Sequence, residues 1–171
     1  MDGKERRQQL IALLKTTSEP LTGTALARLL GVSRQVIVGD MAILRAAGCE
    51  IYATPQGYVL PAAKVPTAVI AKLACSHDRN RMAEELNIIL DHGGKVLDVI
   101  VEHGVYGEIK ANLMLTTRRD LETFLISLEK SGAEPLSLIT GGIHLHTIEA
   151  PTESALEAIK AELNEQDILL S

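Results

Sequence analysis

Three residues, Gly31-Val32-Ser33, separate two segments whose apolar residues recur at helical spacing. Leu26, Leu29 and Leu30 precede them; Ile37, Met41 and Leu44 follow. Glycine enters the left-handed region cheaply and so ends a helix, while a serine oxygen takes an orphan amide and starts one. Two helices joined by so short a turn have the spacing of a helix-turn-helix. Upstream, Leu10, Leu13 and Leu14 stripe a first helix over residues 3–16, which Pro20 keeps from continuing. Thr22 or Thr24 can cap the second helix, and Gly48 closes the third near Ala47. The following IYATPQGYVL reads as two short strands around Thr54-Pro55-Gln56-Gly57, a turn sequence, and would form a wing.

At about 100° per residue, Ile37, Met41 and Leu44 fall on one side of the third helix, and Gln35, Gly39, Ala42 and Ala46 on the other. The open side thus begins with Arg34 and Gln35. Recognition helices read base edges with their N-terminal residues, and Arg and Gln have the donor geometry for guanine and adenine. Arg28, Ser33 and the wing are candidates for phosphate contacts, which position a protein without reading sequence. Gly39 costs about 1 kcal/mol relative to Ala in a helix interior; it either permits close approach to DNA or is drift. Helix-turn-helix folds also serve protein contacts, and an Arg at a helix start is often solvated surface.

Two prolines in Leu60–Pro66 (LPAAKVP) mark a stiff boundary. It divides the 171 residues into a domain over 1–61 and a second over 67–171. The net charge of -5 is unevenly spread. Residues 1–60 carry seven basic and five acidic groups, a balance of +2, against ten and seventeen, or -7, in the rest. A basic head on an acidic body points to the head as the part that touches a polyanion, though chance gives such a fluctuation too. No window holds the roughly 18 consecutive apolar residues of a membrane span, and MDGKERRQQL is not a cleavable signal. Two cysteines fit a reducing, cytoplasmic setting. One Phe and no Trp disfavour a base-stacking RNA platform.

The second domain alternates. Ala68–Cys75, Lys95–His103, Glu108–Leu115, Leu136–Ile139, Ile143–Ala150 and Asp167–Leu170 read as strands. Asp78–His92, Thr117–Lys130 and Thr152–Asn164 read as helices. The expected class is α+β, with helices over a largely antiparallel sheet.

All five histidines lie there: His77, His92, His103, His144 and His146. Strand residues two apart share a face, so His144 and His146 project together, either toward one metal ion or as plain polar surface. On the helix after His77, Met82, Leu86 and Ile89 define the buried stripe. Glu85 falls about 60° from its centre and Glu84 nearly opposite. A carboxylate near a core needs a partner. A metal shared with His77, His144 and His146 would supply one; a salt bridge to Arg81, or reach to solvent, would do so too. Three imidazoles and a carboxylate suit zinc, nickel or iron better than calcium or magnesium. Cys75 could bind a metal but reads as core.

The segments GVSRQVIVGDMAILRAAG and IYATPQGYVL, then CSH, EEL, GGKVLDVIVEHGVYGEI and GGIHLHTIE, resemble the niacin-responsive transcriptional repressor family. That family joins a winged helix-turn-helix to a three-histidine domain, and the likeness covers nearly the whole chain. It implies a homodimer on a palindromic DNA operator of NAD biosynthesis or niacin uptake genes, with nicotinic acid as co-repressor. It implies a divalent metal on His77, Glu85, His144 and His146, and a place for His103 in the ligand pocket. The chain departs from the family pattern at Gly104, where proline is usual, and at Gly39, where a longer polar residue is common. Two rival readings are a metal-responsive regulator and a metal-dependent enzyme on nicotinate-like substrates. Against the enzyme, the sequence has no HExxH, no GxSxG and no Gly-rich phosphate loop.

Overall fold

The computed structural model of the chain describes residues 2–61 and 67–171. Residues 62–66 of the expected boundary, Leu60–Pro66, lie outside the described residues. Contacts divide the chain into two units, Met1–Ala63 and Lys64–Ser171.

The first unit runs α1 (Gly3–Lys15), α2 (Gly23–Leu30), α3 (Arg34–Ala46), β1 (Tyr52–Thr54) and β2 (Gly57–Val59). Each helix begins at a capping side chain. Asp2 accepts from Glu5 N–H, Thr22 from Ala25 N–H and Ser33 from Val36 N–H. Gly31 ends α2 in the left-handed region at φ 66°. Leu10, Leu14, Leu26, Ile37, Met41, Leu44 and Ile51 form one aliphatic core; each such side chain contributes about 1.5–3 kcal/mol on burial. The strands pair antiparallel with Thr54 opposite Gly57. Leu21 adds a third stretch to the wing: its N–H donates to the Tyr58 carbonyl at 3.0 Å and its carbonyl accepts from Tyr58 N–H at 2.8 Å. Gly57 is required there, because its φ is 138° and a Cβ would lie 2.6 Å from the Leu21 backbone.

The second unit runs β3 (Val69–Ser76), α4 (Met82–Asp91), β4 (Lys95–His103), β5 (Gly107–Leu115), α5 (Arg118–Ser131), β6 (Ile143–Ala150) and α6 (Glu153–Glu165). The sheet has the order β3-β6-β4-β5, and its neighbours are all antiparallel. One core joins Leu86 and Ile89 of α4, Leu121 of α5 and Leu156, Ile159 and Leu163 of α6 to Leu73, Val96, Leu115 and Ile148 of the strands. Helices over an antiparallel sheet are the α+β arrangement expected.

Two expected strands form otherwise. Leu136–Ile139 lies in a 3-10 helix, Leu136–Thr140, that starts after Pro135 and ends at Gly141 in the left-handed region. Proline donates no ladder hydrogen bond, and the flanking turn residues leave too few positions for a strand. Asp167–Leu170 makes only an isolated bridge, Leu169 to Cys75, with Ser76 N–H on the Ile168 carbonyl and Leu170 N–H on the Ala74 carbonyl. Asp167 has φ 53°, so the chain turns sharply out of α6 before extended pairing can develop. The helix expected from Asp78 opens as a 3-10 turn, Arg79–Arg81, before α4.

Candidate DNA-reading helix and metal centre

In the first unit, Arg28, Ser33, Arg34, Gln35 and Gly39 are all exposed. The Ser33 oxygen is engaged as the α3 cap, accepting from Val36 N–H at 3.3 Å. Arg34 and Gln35 stand in the first turn of α3, where the sequence places base-reading residues. A Cβ built on Gly39 meets nothing within 4 Å, so no packing inside the chain calls for glycine there.

Asp40 is a buried polar residue that the sequence reading missed, at 3% exposure. It accepts from Arg6 Nε at 2.5 Å and from Arg7 at 3.3 Å. Its spacing is the available signal: Asp40 follows Ile37 by three residues and so sits on the buried stripe. Two of the seven basic groups in the head therefore face an internal carboxylate.

In the second unit, His77, Glu85, His144 and His146 come from three separate segments and are all buried. His77 follows β3, Glu85 stands in the first turn of α4, and the other two alternate along β6. Glu85 is their common neighbour. Its carboxylate lies 2.6 Å from His77 Nε2, 3.1 Å from His144 Nε2 and 3.4 Å from His146 Nε2. One donor atom from each of His77, Glu85 and His144 falls within 4.8 Å of the others. Arg81 instead pairs with Glu84, at 2.8 Å, and with the Gln166 carbonyl. The salt-bridge alternative for Glu85 is thereby answered.

The opposite ring nitrogens decide the chemistry. His77 Nδ1 donates to the Asp78 carbonyl at 2.6 Å, His144 Nδ1 to the Gly142 carbonyl at 2.8 Å, and His146 Nδ1 to the Asp98 carbonyl at 2.7 Å. A carbonyl oxygen only accepts, so each Nδ1 carries a proton. In a neutral ring the lone pair is then on Nε2. Three Nε2 lone pairs and a carboxylate face one another with no donor among them. Such a cluster needs extra protons or a cation at its centre.

Titration follows the same logic. Burial pushes His77 and His146 down, but the Glu85 carboxylate outweighs it and holds both above the ordinary imidazole range. Burial pushes Glu85 up, and the imidazoles outweigh that, holding it well below the carboxylate range. The donor set of three nitrogens and one oxygen, each ring held from behind by a carbonyl, fits a zinc-, nickel- or iron-type ion.

Gly142 is the local device behind this geometry. Its carbonyl also takes the His77 N–H, at 3.4 Å. Its φ is 103°, and a Cβ there would collide with the His77 carbonyl. Cys75 lies opposite His144 in the sheet register. Burial, then Glu85, push its thiol up, so it is a core side chain and not a thiolate. His92 is outside the cluster and pairs with Glu162 at 2.6 Å. His103 is outside it too: at the end of β4 its Nδ1 accepts from Val105 and Tyr106 N–H, at 3.0 and 3.2 Å.

Comparison with known proteins places both units. Residues 6–59 match the HTH domain family, and residues 70–171 match the 3H domain family. The probable transcription repressor NiaR of Thermotoga maritima is 42% identical over 167 residues, covering 98% of this chain and 94% of that protein. The transcription repressor NadR of Bacillus subtilis is 41% identical over 170 residues, again 98% and 94%. Among the described residues no helix is long and apolar enough to cross a membrane. An exposed recognition helix, a buried histidine–carboxylate cluster and similarity over nearly the full length converge: the chain belongs to the family of DNA-binding transcription repressors that joins a helix-turn-helix to a 3H domain.

Proposed function

We propose that this chain represses NAD biosynthesis or niacin uptake genes as a homodimer, with nicotinic acid as co-repressor. In this reading residues 1–61 contact a palindromic operator, through Arg34, Gln35 and Gly39 at the bases and Arg28 and Ser33 at the phosphates. Residues 67–171 hold one divalent transition-metal ion on His77, Glu85, His144 and His146, with His103 nearer the effector. The observation that carries it is the convergence of three Nε2 lone pairs on one buried carboxylate, in a chain whose other unit is a helix-turn-helix.

When bound, the metal supplies an electrophilic position for a pyridine nitrogen or a carboxylate. The protein's own groups do the rest. Carbonyls of Asp78, Gly142 and Asp98 fix the ring tautomers, and burial excludes water. An effector changes operator affinity only by binding the DNA-competent arrangement better than the other. Because half-sites are set by the helical repeat of DNA, the angle between two heads governs affinity.

The test is fluorescence anisotropy with labelled duplexes from upstream of NAD-biosynthesis and niacin-transport genes, at fixed salt. Nicotinic acid tightens binding at least about ten-fold, a coupling of about 1.4 kcal/mol. Nicotinamide does not, and chelation abolishes the effect. If added metal alone sets affinity and nicotinic acid does nothing, the chain is a metal-responsive regulator. If neither changes affinity, the sensing role fails.

A further inference from the structure

Asp98 is a second buried carboxylate in the 3H unit, at 2% exposure, and it stands behind His146. Its Oδ1 accepts from Thr147 N–H at 2.9 Å. Its Oδ2 lies 3.0 Å from Lys110 Nζ, a half-exposed cation on β5. Its backbone carbonyl accepts from His146 Nδ1 at 2.7 Å. One residue thus grips both strands that flank β4 and the back of a candidate metal ligand.

The ladder is irregular at this point. Val96 faces Ile148 and Asp98 faces Thr147, so two steps on β4 match one on β6 and Leu97 is extra. The β5 side slips at the same place, with Val96 opposite Leu115 and Asp98 opposite Asn112. There Met114 takes φ 48°. A bulge of this kind re-aims backbone groups at the expense of regular ladder pairing. The Asp98 side chain takes one strand N–H, and the Asp98 carbonyl is turned to the imidazole.

We propose that Asp98 is a positioning residue of the metal centre: its carboxylate locks the β4 bulge onto β6, so that its own carbonyl holds His146 with Nε2 presented to the ion. The proposal rests on the reading of the cluster as a divalent-metal site. The charge of Asp98 matters as well as its shape. A negative group behind a histidine ligand makes the ring a better electron donor, and Lys110, half in solvent, offsets only part of that field.

The experiment uses the full chain, stripped with a chelator and titrated with Ni2+ or Zn2+ against a competing indicator, alongside thermal melting of the stripped protein. In Asp98→Asn the amide oxygen still accepts from Thr147 N–H, so the stripped variant melts near the wild type. Its metal affinity falls about 10-fold, through the lost charge alone, since the carbonyl on His146 Nδ1 and the Thr147 bond are both kept. Lys110→Met splits the two readouts the other way. The stripped protein melts lower, because a buried carboxylate has lost its counter-charge, yet it binds the ion at least as tightly as the wild type. A purely structural role would lower stability and affinity together in both variants, and that result overturns the proposal. Wild-type affinity in Asp98→Asn overturns it too while leaving the metal reading intact. A wild-type chain that takes up neither ion overturns both.

Discussion

Each unit buries a carboxylate beside nitrogen cations or bases, and the two are answered differently. Asp40 meets the guanidiniums of Arg6 and Arg7, which stay protonated at any physiological pH. Its charge is met within the unit, and it ties α1 to α3. Glu85 meets three imidazoles whose Nδ1 protons are already committed to carbonyls. Its balance depends on what else enters: protons at low pH, or a metal. The first arrangement is architecture. The second leaves its charge balance open to an outside species.

The largest expected effect breaks that contrast at Glu85. Saturating metal at a thousand times Kd stabilises a protein by about 4 kcal/mol. Stripping the ion should therefore lower the calorimetric melting temperature of the wild type by several degrees. Glu85→Gln keeps the three imidazoles but loses the anionic ligand, so it should bind the ion about 100-fold more weakly in equilibrium dialysis and gain much less stability from metal. A wild type indifferent to chelation would make Glu85 as self-contained as Asp40.

Asp40→Ala comes next. It removes hydrogen bonds to charged partners at the α1–α3 contact and should cost about 2 kcal/mol in denaturant unfolding. Its metal affinity should stay at the wild-type value. A variant that also lost metal binding would show that the two carboxylates are not independent.

A smaller effect comes from pH. In the metal-free protein His77 and His146 are raised above the ordinary 6.5. Their contribution is complete below 6.5 and is lost as pH rises through their folded values. Glu85 is held below the ordinary 4.5, so its contribution is complete above 4.5 and is lost as pH falls through its folded value. The stripped protein should thus be most stable in mild acid. The loaded protein should gain stability as pH rises, because metal ligands must shed protons. Melting curves from pH 5 to 8, with and without chelator, should slope in opposite directions. Parallel slopes would mean that the metal does not compete with these protons.

The smallest is Gly39→Ala. With open space around it, the methyl group should stabilise α3 by about 0.5–1 kcal/mol. A loss of operator affinity in the same variant would show that DNA approaches the helix there; unchanged affinity would leave Gly39 as drift.

Local signals carried much of this. Gly31-Val32-Ser33 and the stripe Ile37, Met41, Leu44 are enough to recover α2 and α3, because caps and helical periodicity act within a few residues. The same holds for Lys95–His103 and Ile143–Ala150, whose strand limits match the apolar runs. The 3-10 turn at Leu136–Thr140 is not legible in the sequence, because an apolar run of that length is equally compatible with a strand. Leu21 in the wing, and Asp40 with its arginines, escaped because their partners lie 37 and 33–34 residues away.

At the candidate metal centre the division is sharper. Alternation along β6 is enough to put His144 and His146 on one face, and the helical angle to bring Glu85 to the edge of the buried stripe. No local rule says that Glu85 belongs to those imidazoles and not to Arg81, or that carbonyls of Asp78, Gly142 and Asp98 stand behind the rings. The chain by itself determined two units, most of their helices and strands and which residue types were available, since capping, turn chemistry and apolar periodicity are short-range. Only the tertiary structure decided that three imidazoles meet the Glu85 carboxylate, because strand order and helix docking depend on contacts between residues tens of positions apart.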